Sequence, residues 1–151
     1  MDIIPLLACA LFSSTISQAM LINFEDCGSR DSTVVSVKIA PCNILPCVLV
    51  KGKPYTIEIK FTARAHIRGG DALLEVVYDG VIKSLPIRAS LTCGHLDPPC
   101  PIRPGGTYKY SYTTAISHSL PRRLLIVRWQ LLRTDEIPFV CVQFPAKIEN
   151  S

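Results

Sequence analysis

Hydrophobic and polar residues alternate most regularly over residues 55–63. Every odd-numbered position of this stretch is apolar or aromatic, and every even-numbered position is polar. A period of two is typical of a β-strand with one buried face. At about 3.3 Å per residue the strand is about 30 Å long, so its apolar face requires a partner surface of similar length.

Other stretches show strand-like patterns, and turn signals separate them. Asp79-Gly80 is a strong hairpin dipeptide, and Gly69-Gly70-Asp71 predicts a break before the strand that follows. Residues 93–106 are rich in proline and glycine and predict a loop without any regular element. The remaining predicted strands are residues 35–39, 72–78, 81–87, 108–113, 124–132 and 139–148.

About seven short strands without a convincing helix predict an all-β fold, an antiparallel β-sandwich of two sheets. The architecture is immunoglobulin-like. A true immunoglobulin domain is disfavoured, because Trp129 lies only twelve residues before Cys141 instead of between two core cysteines. A chain of 151 residues has room for one domain around one core.

Residues 1–19 have the pattern of a secretory signal peptide. The apolar run 3–12 is too short to span a membrane, and small residues follow it, with Ser17 and Ala19 placed as at a cleavage site. A buried N-terminal helix is the alternative. We expect residues 1–19 to be removed, leaving a secreted, extracellular domain of residues 20–151.

The cysteines agree with an oxidising compartment. Removal of the leader leaves six of the seven cysteines, an even number that predicts three disulfides among fifteen connectivities. Two pairs are close enough in sequence to close short loops, and their spacing does not match a zinc site, so no metal is expected. If the short loops close, the pairs are Cys42 with Cys47, Cys93 with Cys100, and Cys27 with Cys141.

The charge is mildly basic, with a formal net charge of +4 for the whole chain that rises to +5 when Asp2 leaves with the leader. Two local clusters stand out, Arg64/His66/Arg68 and Arg122/Arg123. A solvated surface is the favoured interpretation, and transient contact with an anionic membrane surface is the alternative. Nucleic acid is not an expected partner, because the chain has no basic helix and no basic strip with interleaved aromatics.

Two histidine motifs are the candidates for an enzyme such as a secreted esterase. They are Ser117-His118-Ser119 and His95-x-Asp97. Neither is accompanied by a nucleophile elbow, and a catalytic serine needs a base that a third group holds in place. We therefore expect surface histidines, no catalysis and no cofactor.

Several short motifs accompany the six cysteines in a specific order. They are Asp26-Cys27-Gly28-Ser29, Pro41-Cys42, Pro46-Cys47, Lys51-Gly52, Tyr55, Cys100-Pro101-Ile102, Tyr108-Lys109-Tyr110 and Trp129-Gln130-Leu131. Together they resemble the Niemann-Pick type C2 family of ML lipid-recognition domains over essentially the whole mature chain. The resemblance implies a two-sheet sandwich with a lipid cavity between the sheets, and the same three disulfide pairs.

The resemblance also implies which residues face the ligand. All the matching positions are apolar or aromatic, as a dry cavity requires. They are Leu49, Tyr55, Ile57, Leu74, Tyr78, Leu85, Ile116, Leu120, Leu125, Val127, Trp129 and Val142. Read from the residues alone, the same apolar faces are equally compatible with an ordinary packed core.

The chain departs from the sterol-transfer members of that family near the entrance. Those members have a proline-rich segment with an aromatic gate where this chain has residues 83–89. They also have an aromatic residue at the position of Leu120 and a second tryptophan at the position of Val142. Smaller side chains and the nearby Lys83 favour a flexible chain with a carboxylate, as in arthropod carrier members. The similar mite group 2 allergens indicate that the fold also serves other lipids.

We therefore expect a monomeric, secreted, non-catalytic carrier for one hydrophobic ligand. Long-chain fatty acids and similar semiochemical-like lipids are the favoured ligands, and a sterol is the other candidate. The alternatives are a sterol transfer protein of an intracellular lumen and a lipid-presenting immune recognition module. A secreted esterase is the least favoured function.

Overall fold

The computed structural model describes residues 18–151, so the leader predicted at residues 1–19 lies almost wholly outside the described residues. These residues form strands, one short 3₁₀ helix and their connections. The strands are β1 Met20–Leu21, β2 Glu25–Asp26, β3 Ser32–Ala40, β4 Cys47–Val50, β5 Pro54–Ala63, β6 Gly69–Tyr78, β7 Val81–Leu85, β8 Leu96–Asp97, β9 Thr107–Ala115, β10 Leu124–Arg133 and β11 Pro138–Glu149.

The strands form two facing sheets. The first sheet has the order β1-β3-β5-β9-β8, and the second has the order β2-β11-β10-β6-β7, with β4 also beside β11. The predicted all-β sandwich is therefore confirmed. One pairing departs from the antiparallel pattern, because β4 runs parallel to β11.

Strand β5 lies at the centre of the first sheet, between β3 and β9. Its five odd-numbered residues from position 55 onward are all buried, as the alternating pattern predicts. On the opposite face, threonine hydroxyls pair across β5 and β9, Thr56 with Thr113 at 2.7 Å and Thr62 with Thr107 at 2.9 Å. The strand thus separates a dry inner face from a polar outer face.

The break predicted at Gly69-Gly70-Asp71 is wrong, because β6 begins at Gly69. Gly70 faces the neighbouring strand so closely that a Cβ there would lie 2.8 Å from the carbonyl oxygen of Arg133. Glycine here permits close approach of two backbones instead of a turn. The next turn is confirmed: Asp79 and Gly80 have φ values of 51° and 70°, as a two-residue hairpin of type I′ requires.

Two other local predictions need correction. Residues 93–106 were expected to hold no regular element, but they include part of the 3₁₀ helix Thr92–His95 and the two-residue strand β8. Strand β7 ends at Leu85, two residues before the predicted end at Ile87.

Three disulfides tie the sandwich together. The long one, Cys27–Cys141, spans 114 positions, whereas Cys42–Cys47 and Cys93–Cys100 span 5 and 7. This is the pairing that the short spacings favour. Within residues 18–151, no helix is long and apolar enough to cross a membrane. The same residues contain no group of three or more histidine, cysteine or acidic side chains that could hold a metal ion.

Large aromatic side chains fill one end of the space between the sheets. Phe61 stacks on Tyr108 with ring centroids 5.7 Å apart, and the edge of Phe139 meets Phe61 at 5.6 Å. A β-bulge brings Phe139 into this position, because Leu131 pairs with Val140 whereas Leu132 pairs with Pro138. We call this region, together with Leu131, the filled end.

Candidate functional site

The opposite end of the space between the sheets is hollow. It contains an apolar cavity of about 60 Å³, and we call this region the hollow end. The lining residues come from both sheets and from the segments that connect them. They are Ile39, Leu49, Tyr55, Ile57, Leu74, Val76, Leu85, Thr114, Ile116, Leu120, Val127, Trp129, Phe144 and Ile148.

Strand register brings the lining residues of the second sheet together. Trp129 on β10 lies opposite Leu74 on β6, and Leu74 in turn lies opposite Leu85 on β7. Residues directly opposite one another in a ladder project to the same face of the sheet. One row of side chains across three strands therefore forms a single wall of the cavity.

The cavity comes nearest to the surface at its three half-buried lining residues, Leu85, Thr114 and Ile116, and we call the region around Leu85, Ile116 and Leu120 the mouth. Backbone hydrogen bonds hold the segment that carries Ile116, because Gly52 donates to its carbonyl oxygen at 2.8 Å and its own N–H donates to Lys53 at 3.1 Å. Leu85 and Ile116 are half-buried, whereas Leu120 is only 3% exposed. The mouth is thus apolar and mostly closed.

The inner limit of the cavity is aromatic. The ring centroid of Trp129 lies 5.6 Å from that of Tyr112 and 6.1 Å from that of Tyr110. Tyr112 donates a hydrogen bond to the carbonyl oxygen of Arg88, whereas the Trp129 indole N–H and the Tyr110 hydroxyl make no hydrogen bond of normal geometry within residues 18–151. Burial raises the pKa of Tyr110, and its interaction with the Trp129 indole partly opposes the rise. Of these three rings, only that of Trp129 lines the cavity.

Polar side chains lie just outside the mouth. Lys83 Nζ donates to Ser119 Oγ at 3.3 Å, and Ser119 Oγ lies 2.8 Å from Ser117 Oγ. Lys83 stands opposite Val76 in the β6–β7 ladder, so it shares the inner face of the sheet with a cavity-lining residue. We call Lys83, Ser117 and Ser119 the mouth triad.

Most residues that the sequence assigns to a ligand site line this one cavity. Those that line it are Leu49, Tyr55, Ile57, Leu74, Leu85, Ile116, Leu120, Val127 and Trp129. Four do not line it. Lys83 belongs to the mouth triad, Tyr78 lies under the guanidinium of Arg123 with 5.3 Å to the ring centroid, and Leu125 and Val142 are buried in the surrounding core.

Five lining residues were missed from the sequence. They are Ile39, Val76, Thr114, Phe144 and Ile148. Four of them are apolar residues of predicted strands. They occupy the alternate positions that the apolar–polar pattern assigns to the inner face, so the sequence could have indicated them. Thr114 gave no such signal, because it is polar and lies just beyond the predicted end of its strand.

The catalytic alternative finds no support in the geometry of the described residues. The hydroxyls of Ser117 and Ser119 bond to each other and to Lys83, and none of the hydrogen bonds found joins either serine to His118. His95 Nε2 lies 2.8 Å from the carbonyl oxygen of Ala89, not near a carboxylate. A nucleophile paired with an oriented base is therefore not formed here.

The size of the cavity sets a condition on what can enter. An apolar cavity of about 150 Å³ accommodates benzene, and the cavity here measures about 60 Å³. A long hydrocarbon chain needs more room than this. Binding therefore requires the mouth side chains to rotate and the sheets to separate at the hollow end.

The comparisons with known proteins agree on one family. The family model described as the ML domain matches residues 22–148. The chain is 33% identical to a Danio rerio protein named NPC intracellular cholesterol transporter 2, a match that covers 85% of this chain and 86% of that protein. It is 34% identical to the ecdysteroid-regulated 16 kDa protein of Manduca sexta, with 83% of this chain and 87% of that protein covered.

A solved structure has the same fold. The crystal structure of a Niemann-Pick type C2 protein from the Japanese carpenter ant superposes with a TM-score of 0.75 at 25% sequence identity. The superposition covers 85% of this chain and 100% of the ant protein.

Proposed function

Because the chain belongs to the ML-domain family, we propose that it is a carrier that holds one lipid molecule between its two sheets. The chain is a lipid-binding protein of this family and not an enzyme. The observation that carries the proposal is the position of the cavity. It is an apolar space lined by residues of both sheets, among them the indole of Trp129 and the half-buried Leu85 and Ile116.

Hydrophobic burial supplies enough free energy for such binding. Each buried methylene contributes about 0.8 kcal/mol, so a sixteen-carbon chain gains on the order of 12 kcal/mol before the costs of immobilisation and of opening the cavity. Those costs amount to several kcal/mol. Useful affinity remains without a directed polar contact, and chain length and flexibility then set the selectivity.

A long-chain fatty acid or a similar single-chain lipid fits the site better than a sterol. A flexible chain can enter a small cavity by displacing side chains one at a time, whereas a rigid ring system requires the whole space at once. The tail is expected against Ile57, Leu74, Val127 and Trp129, with the head near the mouth. A sterol is the competing ligand, because the related Danio rerio protein is named a cholesterol transporter.

The setting of this carrier is also a proposal. Three disulfides are typical of chains that fold in oxidising compartments, which supports a protein secreted after loss of residues 1–19. We propose that the mature chain acts as a monomer and contacts membrane surfaces only transiently, since its excess basic charge is small.

Native mass spectrometry of the mature chain tests the proposal. Titration with palmitic acid and, separately, with cholesterol should give a complex with one palmitic acid per chain, at an affinity at least equal to that for cholesterol. Organic extraction of the protein as purified should release a single-chain lipid. Failure of both ligands to form a one-to-one complex contradicts the carrier, whereas exclusive binding of cholesterol contradicts only the fatty-acid preference.

A further inference from the structure

We propose that the mouth triad is a carboxylate subsite, in which the head group of the lipid replaces the Lys83–Ser119 hydrogen bond. The inference rests on the proposed lipid carrier and adds the chemistry of the head group. The Lys83 ammonium donates a hydrogen bond to Ser119 Oγ at 3.3 Å. On binding, the same ammonium and the serine hydroxyls turn to the carboxylate of the ligand.

The direction of Lys83 is the first observation. It lies opposite Val76, a cavity-lining residue that is 1% exposed, and two residues before Leu85 at the mouth. Alternate residues of a strand share a face and lie roughly 7 Å apart. The charged side chain therefore starts on the apolar inner face and extends its ammonium outward to the rim.

Lys83 is free to take a charged partner. Its stem lies along apolar surface while its ammonium reaches the exposed rim, and the ion pairs found within residues 18–151 do not include it. Nearby arginines differ from it in this respect. Arg122 contacts Glu149 at 2.6 Å, and Arg123 contacts Asp79 at 2.6 Å.

The serines complete the subsite. Ser117 and Ser119 flank His118 on the segment between Ile116 and Leu120, so each hydroxyl-bearing residue is next in sequence to a residue of the mouth. Ser119 N–H also donates to Ser117 Oγ at 3.2 Å, which holds the two hydroxyls together. A carboxylate accepts several hydrogen bonds and no donors are lost, because an ammonium offers three and each hydroxyl one.

The exchange explains how a charged head group can sit at an apolar mouth. The polar bridge between β7 and residues 116–120 gives the Lys83 ammonium a neutral hydrogen-bond acceptor, Ser119 Oγ. An incoming carboxylate supplies a stronger, charge-assisted partner for the same donors. An alcohol of equal chain length can use a hydroxyl but gains no ion pair.

Paired ligands and paired variants separate the head group from the tail. The probes are palmitic acid and 1-hexadecanol, titrated at pH 8 into wild type, Lys83→Met, Ser119→Ala and the control Lys60→Met on the exposed outer face of β5. Methionine keeps most of the apolar stem of lysine and removes the charge. We expect Lys83→Met to bind palmitic acid about tenfold more weakly, equivalent to about 1.4 kcal/mol, and hexadecanol within about twofold of wild type.

The Ser119 and Lys60 variants and the salt dependence also test the subsite. Ser119→Ala should weaken palmitic acid about threefold, and Lys60→Met should change neither ligand. High salt should reduce the preference for the acid in wild type and in the variants that keep Lys83, but not in Lys83→Met. Equal weakening of both ligands by Lys83→Met assigns the lysine a structural role and overturns the subsite. So does unchanged binding of palmitic acid. If wild type binds neither ligand, the proposed carrier itself fails, and the subsite fails with it.

Discussion

The filled end and the hollow end lie between the same pair of sheets, yet they differ in what occupies the space. At the filled end, the rings of Phe61, Tyr108 and Phe139 pack in mutual contact. At the hollow end, smaller side chains such as Leu74 and Val127 leave a cavity of about 60 Å³. Ring-to-ring packing, helped by the bulge that positions Phe139, fills the first region, whereas the side chains of the second region leave a space between the sheets.

The comparison teaches that stability and binding reside in different parts of one core. Close packing gives each buried atom its full set of dispersion contacts, and a void removes them. The hollow end therefore contributes less to stability per residue and can open at lower cost. Links outside the cavity hold its walls, such as the hydrogen bond from Val50 N–H to the Tyr55 hydroxyl at 2.9 Å.

Disulfide removal should give the largest contrast. Replacing both cysteines of Cys27–Cys141 by alanine should lower the free energy of unfolding by about 5 kcal/mol, because this bridge closes a loop of 114 positions. The same change at Cys42–Cys47, which spans 5 positions beside β4, should cost about 2 kcal/mol. Urea denaturation measures both. Equal losses for the two bridges contradict the loop-length explanation.

The second-largest contrast is the loss of unfolding free energy when a leucine is truncated to alanine at each end. Leu131→Ala at the filled end, where the side chain is 0% exposed, should destabilise the fold by roughly 3–5 kcal/mol. Leu74→Ala beside the existing cavity should cost roughly 2 kcal/mol and should also change lipid affinity. Thermal unfolding together with lipid titration tests the pair. A Leu74→Ala cost equal to that of Leu131→Ala contradicts a loosely packed hollow end.

A bulky residue at the mouth should affect binding but not folding. Ile116→Trp should leave the thermal transition of the ligand-free chain nearly unchanged and weaken palmitic acid at least tenfold, or about 1.4 kcal/mol. Val35→Trp is the matched control, because Val35 is 53% exposed on β3 and does not line the cavity. Wild-type affinity in Ile116→Trp shows that the ligand enters elsewhere or that the space is only a core.

The smallest contrast concerns acid stability. Burial alone raises the pKa of Asp26, but hydrogen bonds from Ser29 and from the N–H group of Gly28 outweigh it and lower the pKa overall. A lowered pKa stabilises the fold above the unfolded value of about 3.9 and is lost as the pH falls through the folded value. The stability difference between wild type and Asp26→Asn should therefore shrink in acid.

The exposed carboxyl of Glu149 provides the control for that measurement. Arg122 and Lys147 lower the pKa of Glu149 by hydrogen bonding at the exposed surface. Raised salt should remove the effect of Glu149→Gln, since exposed ion pairs are screened, while the backbone hydrogen bonds of Asp26 persist. Equal salt sensitivity of the two variants contradicts this assignment.

The sequence predicts the strands and most of the cavity wall, because both depend on local alternation. The inward row of β5 and the hairpin at Asp79-Gly80 are examples. Local sequence signals do not predict features that depend on a strand distant in sequence. Gly70 has the local pattern of a chain break, but its role is to permit the close approach of β10. The parallel pairing of β4 with β11 likewise has no local sequence signature.

The direction of Lys83 follows from the sequence once the hairpin is placed. A two-residue turn at Asp79-Gly80 makes Tyr78 and Val81 partners, which places Lys83 opposite Val76 and Leu85 opposite Leu74. The volume of the cavity does not follow from the sequence. Alternation says which way a side chain points, but not whether the facing side chains meet.

Quenching of Trp129 tests the central claim most directly, because it is the one tryptophan in the chain and it lines the inner part of the cavity. Bromine quenches indole fluorescence on contact. Palmitic acid brominated at its terminal methyl end should quench Trp129 strongly and saturate at one molecule per chain, whereas the α-bromo isomer should quench weakly at equal occupancy. Equal or reversed quenching, or bound lipid without quenching, contradicts a tail that lies against Trp129 with its head at the mouth.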